Sequence, residues 1–144
     1  PFCGLMNLLN FSIPDAAVEG NGYAMFNVDQ LGLSLGVYPM LFNKFSLTKR
    51  KYPLVLPYAA SAEEHIRVNY GNYKIGYIPE KLIINTLNNK YSKTYSTDGK
   101  FVYLDKYAEI NQLEYSPEEY LKFKDELKQR ESFNKKYIIL KTGK

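Results

Sequence analysis

Cysteine occurs once in this chain, histidine once and tryptophan not at all. A single thiol, Cys3, allows no internal disulfide, so the fold has to be held by its core rather than by covalent staples. One cysteine and one histidine, with no clustered carboxylates beside them, do not provide the three or four ligands of a zinc-like site, and no metal is expected. There is no phosphate-binding loop and no dinucleotide glycine fingerprint, so no cofactor is expected either. Long apolar runs are absent: "PLVLPYAA" and "LSLGVYPMLF" are short, broken by Pro or Gly, and fall well below the roughly 18 residues that span a bilayer. No transmembrane segment follows. Charge of one sign is also lacking, because 19 basic residues are interleaved with 15 acidic ones for a net charge of +4. That balance argues against nucleic acid as a partner, and the one basic cluster, "TKRK" at 48–51, reads as an exposed strand end or turn.

Tyrosine, by contrast, occurs fourteen times, and many segments alternate β-branched or aromatic residues with polar ones. Strands are expected at 22–28, 44–51, 64–70, 73–77, 82–86, 90–96, 100–113 and 136–141, separated by turn signals at Gly20 and Gly22, Gly71, Pro79, Asn88 and Asn89, and Asp98 with Gly99. No Gly-, Ser- or Pro-rich linker divides the chain, which reads as a single domain over 1–144, with 1–43 alternatively a junction to an upstream domain. The opening "PFCGLMNLLNF" has neither a basic stretch before it nor a small-residue cleavage site after it, and reads as the start of an excised piece. Seven or eight short strands joined by short turns predict a mainly β fold, an antiparallel β-sandwich.

One stretch breaks the alternation. In "LEYSPEEYLKFKDELKQ" Ser116 is a good N-cap, Pro117 suits the first helical position, and Glu119 completes a capping box. Tyr120, Phe123 and Leu127 then fall on one stripe, predicting a helix over about 117–130 that covers an edge or end of the sandwich before the last strand.

Candidate chemistry is sparse. Cys3 precedes His65, the order of a papain-type thiol and imidazole pair, but "EEHIRVNY" alternates His65, Arg67 and Asn69 against Ile66 and Val68, which makes His65 a residue of a half-exposed strand. Glu63 with Glu64 precedes that strand, and Glu118 with Glu119 caps the helix, so neither pair reads as a general acid and base. No catalytic residue is assigned and the chain is expected not to be an enzyme. A binding surface is the remaining possibility. With Asp98-Gly99 as a two-residue hairpin loop, Tyr95 opposes Val102, and Phe101, Tyr103 and Tyr107 share the other face with Ser92, Thr94 and Ser96. If Val102 and Leu104 point to the core, that aromatic row faces outward, where it would stack sugar rings or a peptide; the competing reading is that the row is covered by the helix or by the rest of a larger protein.

From residue 44 onward the sequence resembles the C-terminal domain that follows the transglutaminase-like core in a family of exported multidomain bacterial proteins. The resemblance is carried by "LTKRKYPLVLPY", with Arg50, Pro53 and Leu54 in the domain's opening pattern, by "EEHIRVNYGNYKIGYIPEKLIINTLNNKYSKTY", and by the ending "LEYSPEEYLKFKDELKQRESFNKKYIILK". The family's usual proline before the "gY" step is replaced by "NYGNY" with Tyr70 and Asn72. The resemblance implies an accessory β-sandwich in the periplasm or on the surface of a Gram-negative bacterium. Its partner would be the neighbouring domain of the same chain, and the papain-like Cys, His and Asp would lie upstream of it.

Overall fold

In the computed structural model, residues 8–10, 12–13, 16–31 and 47–142 are described. The first hairpin follows from its turn. Asn21 and Gly22 both take positive φ, 49° and 80°, the two-residue loop whose twist matches antiparallel strands, and they join β1 (Val18–Gly20) to β2 (Tyr23–Phe26). A single 3-10 turn, Val28–Leu31, ends this region. There follow β3 (Leu54–Val55), β4 (Ala60–Asn69), β5 (Lys74–Tyr77), β6 (Leu82–Asn85), β7 (Asn89–Thr97), β8 (Phe101–Ile110) and β9 (Glu114–Tyr115). Helix α1 (Pro117–Asn134) then leads into β10 (Ile138–Lys141).

Among the described residues all strand pairs are antiparallel, in two four-stranded sheets ordered β1-β2-β10-β5 and β4-β8-β7-β6 and a separate small β3-β9 ribbon. The expected sandwich is therefore the observed architecture. Its core is made where Ala24, Phe26, Ile138 and Leu140 of the first sheet meet Val102 and Leu104 of the second. A second core lies at the other end, where Tyr120, Phe123 and Leu127 of α1 pack with Leu54, Leu56, Ile110 and Tyr115. Phe123 stacks on Tyr115 with ring centroids 5.0 Å apart. Burying each of the three helical side chains contributes roughly 1.5–3 kcal/mol as an upper estimate.

Both halves of the capping box are present, with the Ser116 hydroxyl accepting from the Glu119 amide and the Glu119 carboxylate accepting from the Ser116 amide. The helix runs to Asn134 rather than ending near 130, because the buried stripe continues through Arg130 and Phe133. Arg130 disguises that continuation in the sequence: its guanidinium lies buried 4.5 Å from the Tyr91 ring centroid instead of in solvent.

Other boundaries differ for identifiable reasons. Of the strand expected at 44–51, residues 47–51 are described and are not strand. The Leu47 carbonyl there accepts hydrogen bonds from the Tyr120 hydroxyl and the Lys124 ammonium, both at 2.6 Å, and pairing begins only after Pro53. The strand expected over 100–113 stops at Ile110 and resumes as β9, which pairs with β3 instead of continuing along β4.

The Asp98-Gly99 hairpin forms, but one residue later than a loop at those two positions implies. Thr97 opposes Val102, and Tyr95 opposes Leu104, not Val102. Asp98 causes the shift: its Oδ1 accepts from the amides of Lys100 and Phe101, so it caps the turn while Gly99 takes φ 89°.

Candidate functional site

The outward face of the β4-β8-β7-β6 sheet carries the aromatic residues singled out in the sequence. Val102 and Leu104 are buried, so Phe101, Tyr103 and Tyr107 alternate outward on β8, each half-buried. Tyr103 lies directly opposite Ser96 on one side and Arg67 on the other; Tyr107 lies opposite Ser92 and Glu63. The hydroxyls are already engaged. Tyr103 donates to Asp98 Oδ2 at 2.7 Å and Tyr107 donates to Glu109 Oε2 at 2.6 Å. Those bonds, reinforced by the amides of Phe101 and Lys100 at Asp98, and by Asn111 and Lys90 at Glu109, hold both carboxyls down at about 2. The Tyr103 phenol is pushed up by the same contact with Asp98. Phe101 and Tyr103 stand 6.3 Å apart with their planes tilted by 51°, and the Arg67 guanidinium covers the Phe101 ring at 4.8 Å. The row is outward, but these two rings form no flat platform.

His65 occupies the same face, on β4 directly opposite Asp105. Its Nδ1 lies 2.7 Å from Asp105 Oδ1 and its Nε2 lies 3.3 Å from Glu63 Oε1, with the ring largely in solvent. The hydrogen bond to Asp105 raises its pKa above the ordinary histidine value, with Glu63 adding to the effect. Cys3, the other member of the thiol and imidazole pair considered from the sequence, lies outside the described residues. Among the described residues no group of three or more His, Cys, Asp or Glu side chains is placed to hold a metal.

A second cluster escapes the sequence reading altogether. On the inner face of the same sheet Glu64, Lys106 and Lys93 stand opposite one another across β4, β8 and β7, midway between the two apolar cores. Asp29, presented by the 3-10 turn, closes the group. Lys93 donates to one oxygen of Asp29, and Lys106 reaches the other at 2.7 Å and Glu64 Oε2 at 3.0 Å. Asn27 sets the turn by accepting from the Asp29 amide and donating to the Asn134 carbonyl, while the Asn134 side chain accepts from Lys93 and Tyr91.

The Lys93 side chain is fully enclosed, and burial lowers its pKa despite the Asp29 carboxylate. A group so enclosed reaches no substrate; its chemistry is to neutralise charge inside the sandwich. The sequence did hold a signal for it, because Lys93 sits in the phase of Tyr91 and Tyr95, and Lys106 in the phase of Leu104 and Ala108.

Comparison with known proteins gives two matches. Residues 33–140 match the family model described as a domain of unknown function with solved structure, DUF3858. The fold is also similar to a crystal structure from Parabacteroides distasonis ATCC 8503 named as a "putative protease", with a TM-score of 0.65 at 18% sequence identity over 84% of this chain. The chain spans 24% of the length of that protein. No curated protein matches the chain.

Proposed function

The chain belongs to the DUF3858 family, and from that premise we propose that it is a non-catalytic accessory β-sandwich of a larger exported bacterial protein, where it packs on and positions a neighbouring domain. The observation that carries this reading is one of proportion: a fold covering 84% of this chain occupies 24% of a similar, much longer one. The resemblance of residues 44 onward to the domain that follows a transglutaminase-like core supports placing that core upstream, with the protein in the periplasm or at the cell surface. The polar groups agree with a supporting role, since the buried ions close on one another and the outward carboxylates Asp98 and Glu109 are engaged by tyrosines of β8.

The test compares the parent polypeptide with and without this domain. Removal is expected to lower the thermal stability of the neighbouring domain while leaving its catalytic residues in place. The isolated chain is expected to show no turnover of casein or of a glutamine and lysine acyl-transfer pair. Turnover by the isolated chain, or a neighbour indifferent to its removal, would overturn the reading.

A second reading, contact with a glycan or a peptide, rests on the outward placement of Phe101, Tyr103 and Tyr107 beside Ser92 and Ser96, and the 51° tilt between Phe101 and Tyr103 counts against it. A glycan array on which the triple alanine variant behaves like the unaltered chain would dispose of it.

A further inference from the structure

The two outer faces of the sandwich differ in kind. On the β4-β8-β7-β6 sheet the outward residues are largely hydroxyls and ions, and the tyrosines end on carboxylates. On the β1-β2-β10-β5 sheet, register places an apolar row across all four strands. Val18 opposes Met25, Met25 opposes Ile139, and Ile139 opposes Tyr77. Inward positions of β2 and β10, Ala24, Phe26, Ile138 and Leu140, form the core, so Met25 and Ile139 point away from it, and Val18 and Tyr77 are the residues paired with them.

Val18, Met25 and Tyr77 remain 66%, 40% and 43% exposed, and Tyr23 and Tyr137 are exposed in the same phase on β2 and just before β10. A contiguous apolar row of this kind, spanning a whole sheet, marks an interaction surface rather than the scattered exposure any protein tolerates. At one end Lys74 and Lys141 stand directly opposite each other, and neither has an ion-pair partner among the described residues. The Lys141 stem lies over Gly76, so its ammonium sits at the margin of the row.

We propose that this outer face docks the neighbouring domain of the same polypeptide, against a surface that is apolar at its centre and carries carboxylates where it meets Lys74 and Lys141. The inference rests on the accessory-domain reading above and adds which face is used. Two observations select that occupant: the fold recurs as about a quarter of a longer chain, which provides a tethered partner, and the paired lysines call for carboxylates that the described residues of this face do not offer.

Hydroxyl-radical footprinting of the intact parent polypeptide, read by mass spectrometry at Met25, Tyr77, Tyr103 and Tyr107, tests it. Met25 and Tyr77 are expected to be protected at every protein concentration, and Tyr103 and Tyr107 to react. Val18→Lys, at the most exposed position of the row, is expected to abolish the protection of Met25, whereas Ile83→Lys on the opposite sheet is expected to leave it intact. Protection lost on dilution would make a second copy the occupant and overturn the proposal. Protection confined to Tyr103 and Tyr107 would leave the accessory reading standing and overturn the choice of face. Reactivity on both faces would remove both.

Discussion

The ammonium of Lys93 and the carboxylate of Asp29, 64 residues apart in sequence, meet inside the sandwich at a lysine side chain that solvent does not reach. Two residues joined in this way are not equivalent, because Asp29 also holds Lys106 whereas Lys93 forms an ion pair with no second carboxylate among the described residues. Asp29→Ala strands a buried cation and is expected to cost about 3–5 kcal/mol, whereas Lys93→Met replaces an ion by a chain of similar reach and is expected to cost under about 2 kcal/mol. Urea unfolding of the two variants measures the difference. The reverse order would mean that the lysine's packing, not its charge, is what the site requires.

His65 is the chain's one histidine, so its imidazole resonance is unambiguous. With Asp105 and Glu63 beside it, its titration midpoint is expected above the ordinary histidine value of 6.5, and Asp105→Asn is expected to bring it back down. A raised folded pKa means that the protonated ring favours the folded state; that contribution is complete below pH 6.5 and is lost as the pH rises through the folded midpoint. A midpoint unmoved by Asp105→Asn would rule out the contact in solution.

The outward tyrosines make the opposite prediction at acid pH. Asp98 and Glu109 are held at about 2, from ordinary values of 3.8 and 4.5. Their contribution is therefore present at neutral pH and disappears as the pH falls from about 4.5 to about 2. Tyr103→Phe and Tyr107→Phe are each expected to raise the midpoint of their own partner carboxyl, followed by carbon NMR, and together to flatten the acid limb of the stability curve.

Ser116→Ala removes the hydroxyl of the capping box and is expected to cost about 1 kcal/mol, measured by the shift in denaturation midpoint. Gly76→Val meets a harder obstacle, since a Cβ at Gly76 would stand 3.2 Å from the Ile139 carbonyl oxygen and from the Lys141 stem, where β5 slips in register against β10. It is expected to cost about 1–3 kcal/mol. A neutral Gly76→Val would show that the two strands separate there without penalty.

The elements legible in the sequence are those whose signals are local. Ser116, Pro117 and Glu119 mark the start of α1 within four residues of chain, and alternation from Glu64 to Asn69 and from Phe101 to Ile110 places each side chain on one face or the other because successive strand residues point in opposite directions. Such features were determined by sequence alone. The outward direction of Phe101, Tyr103 and Tyr107 was legible in the same way once Val102 and Leu104 were taken as core, although the hairpin register was not, because Asp98 could serve as either a loop residue or the cap of one.

What surrounds each face was decided only by tertiary structure. Lys93 shares the inward phase of Tyr91 and Tyr95, but its partner Asp29 arrives from a turn 64 residues away, and Arg130 looks like the end of a helix until Tyr91 supplies a ring to cover it. The apolar row on the first sheet exists only because β10, the last strand, inserts between β2 and β5 and brings Ile139 between Met25 and Tyr77. Residues so distant in the chain have no local periodicity to announce one another; their energies depend on desolvation and on neighbours that folding alone brings together.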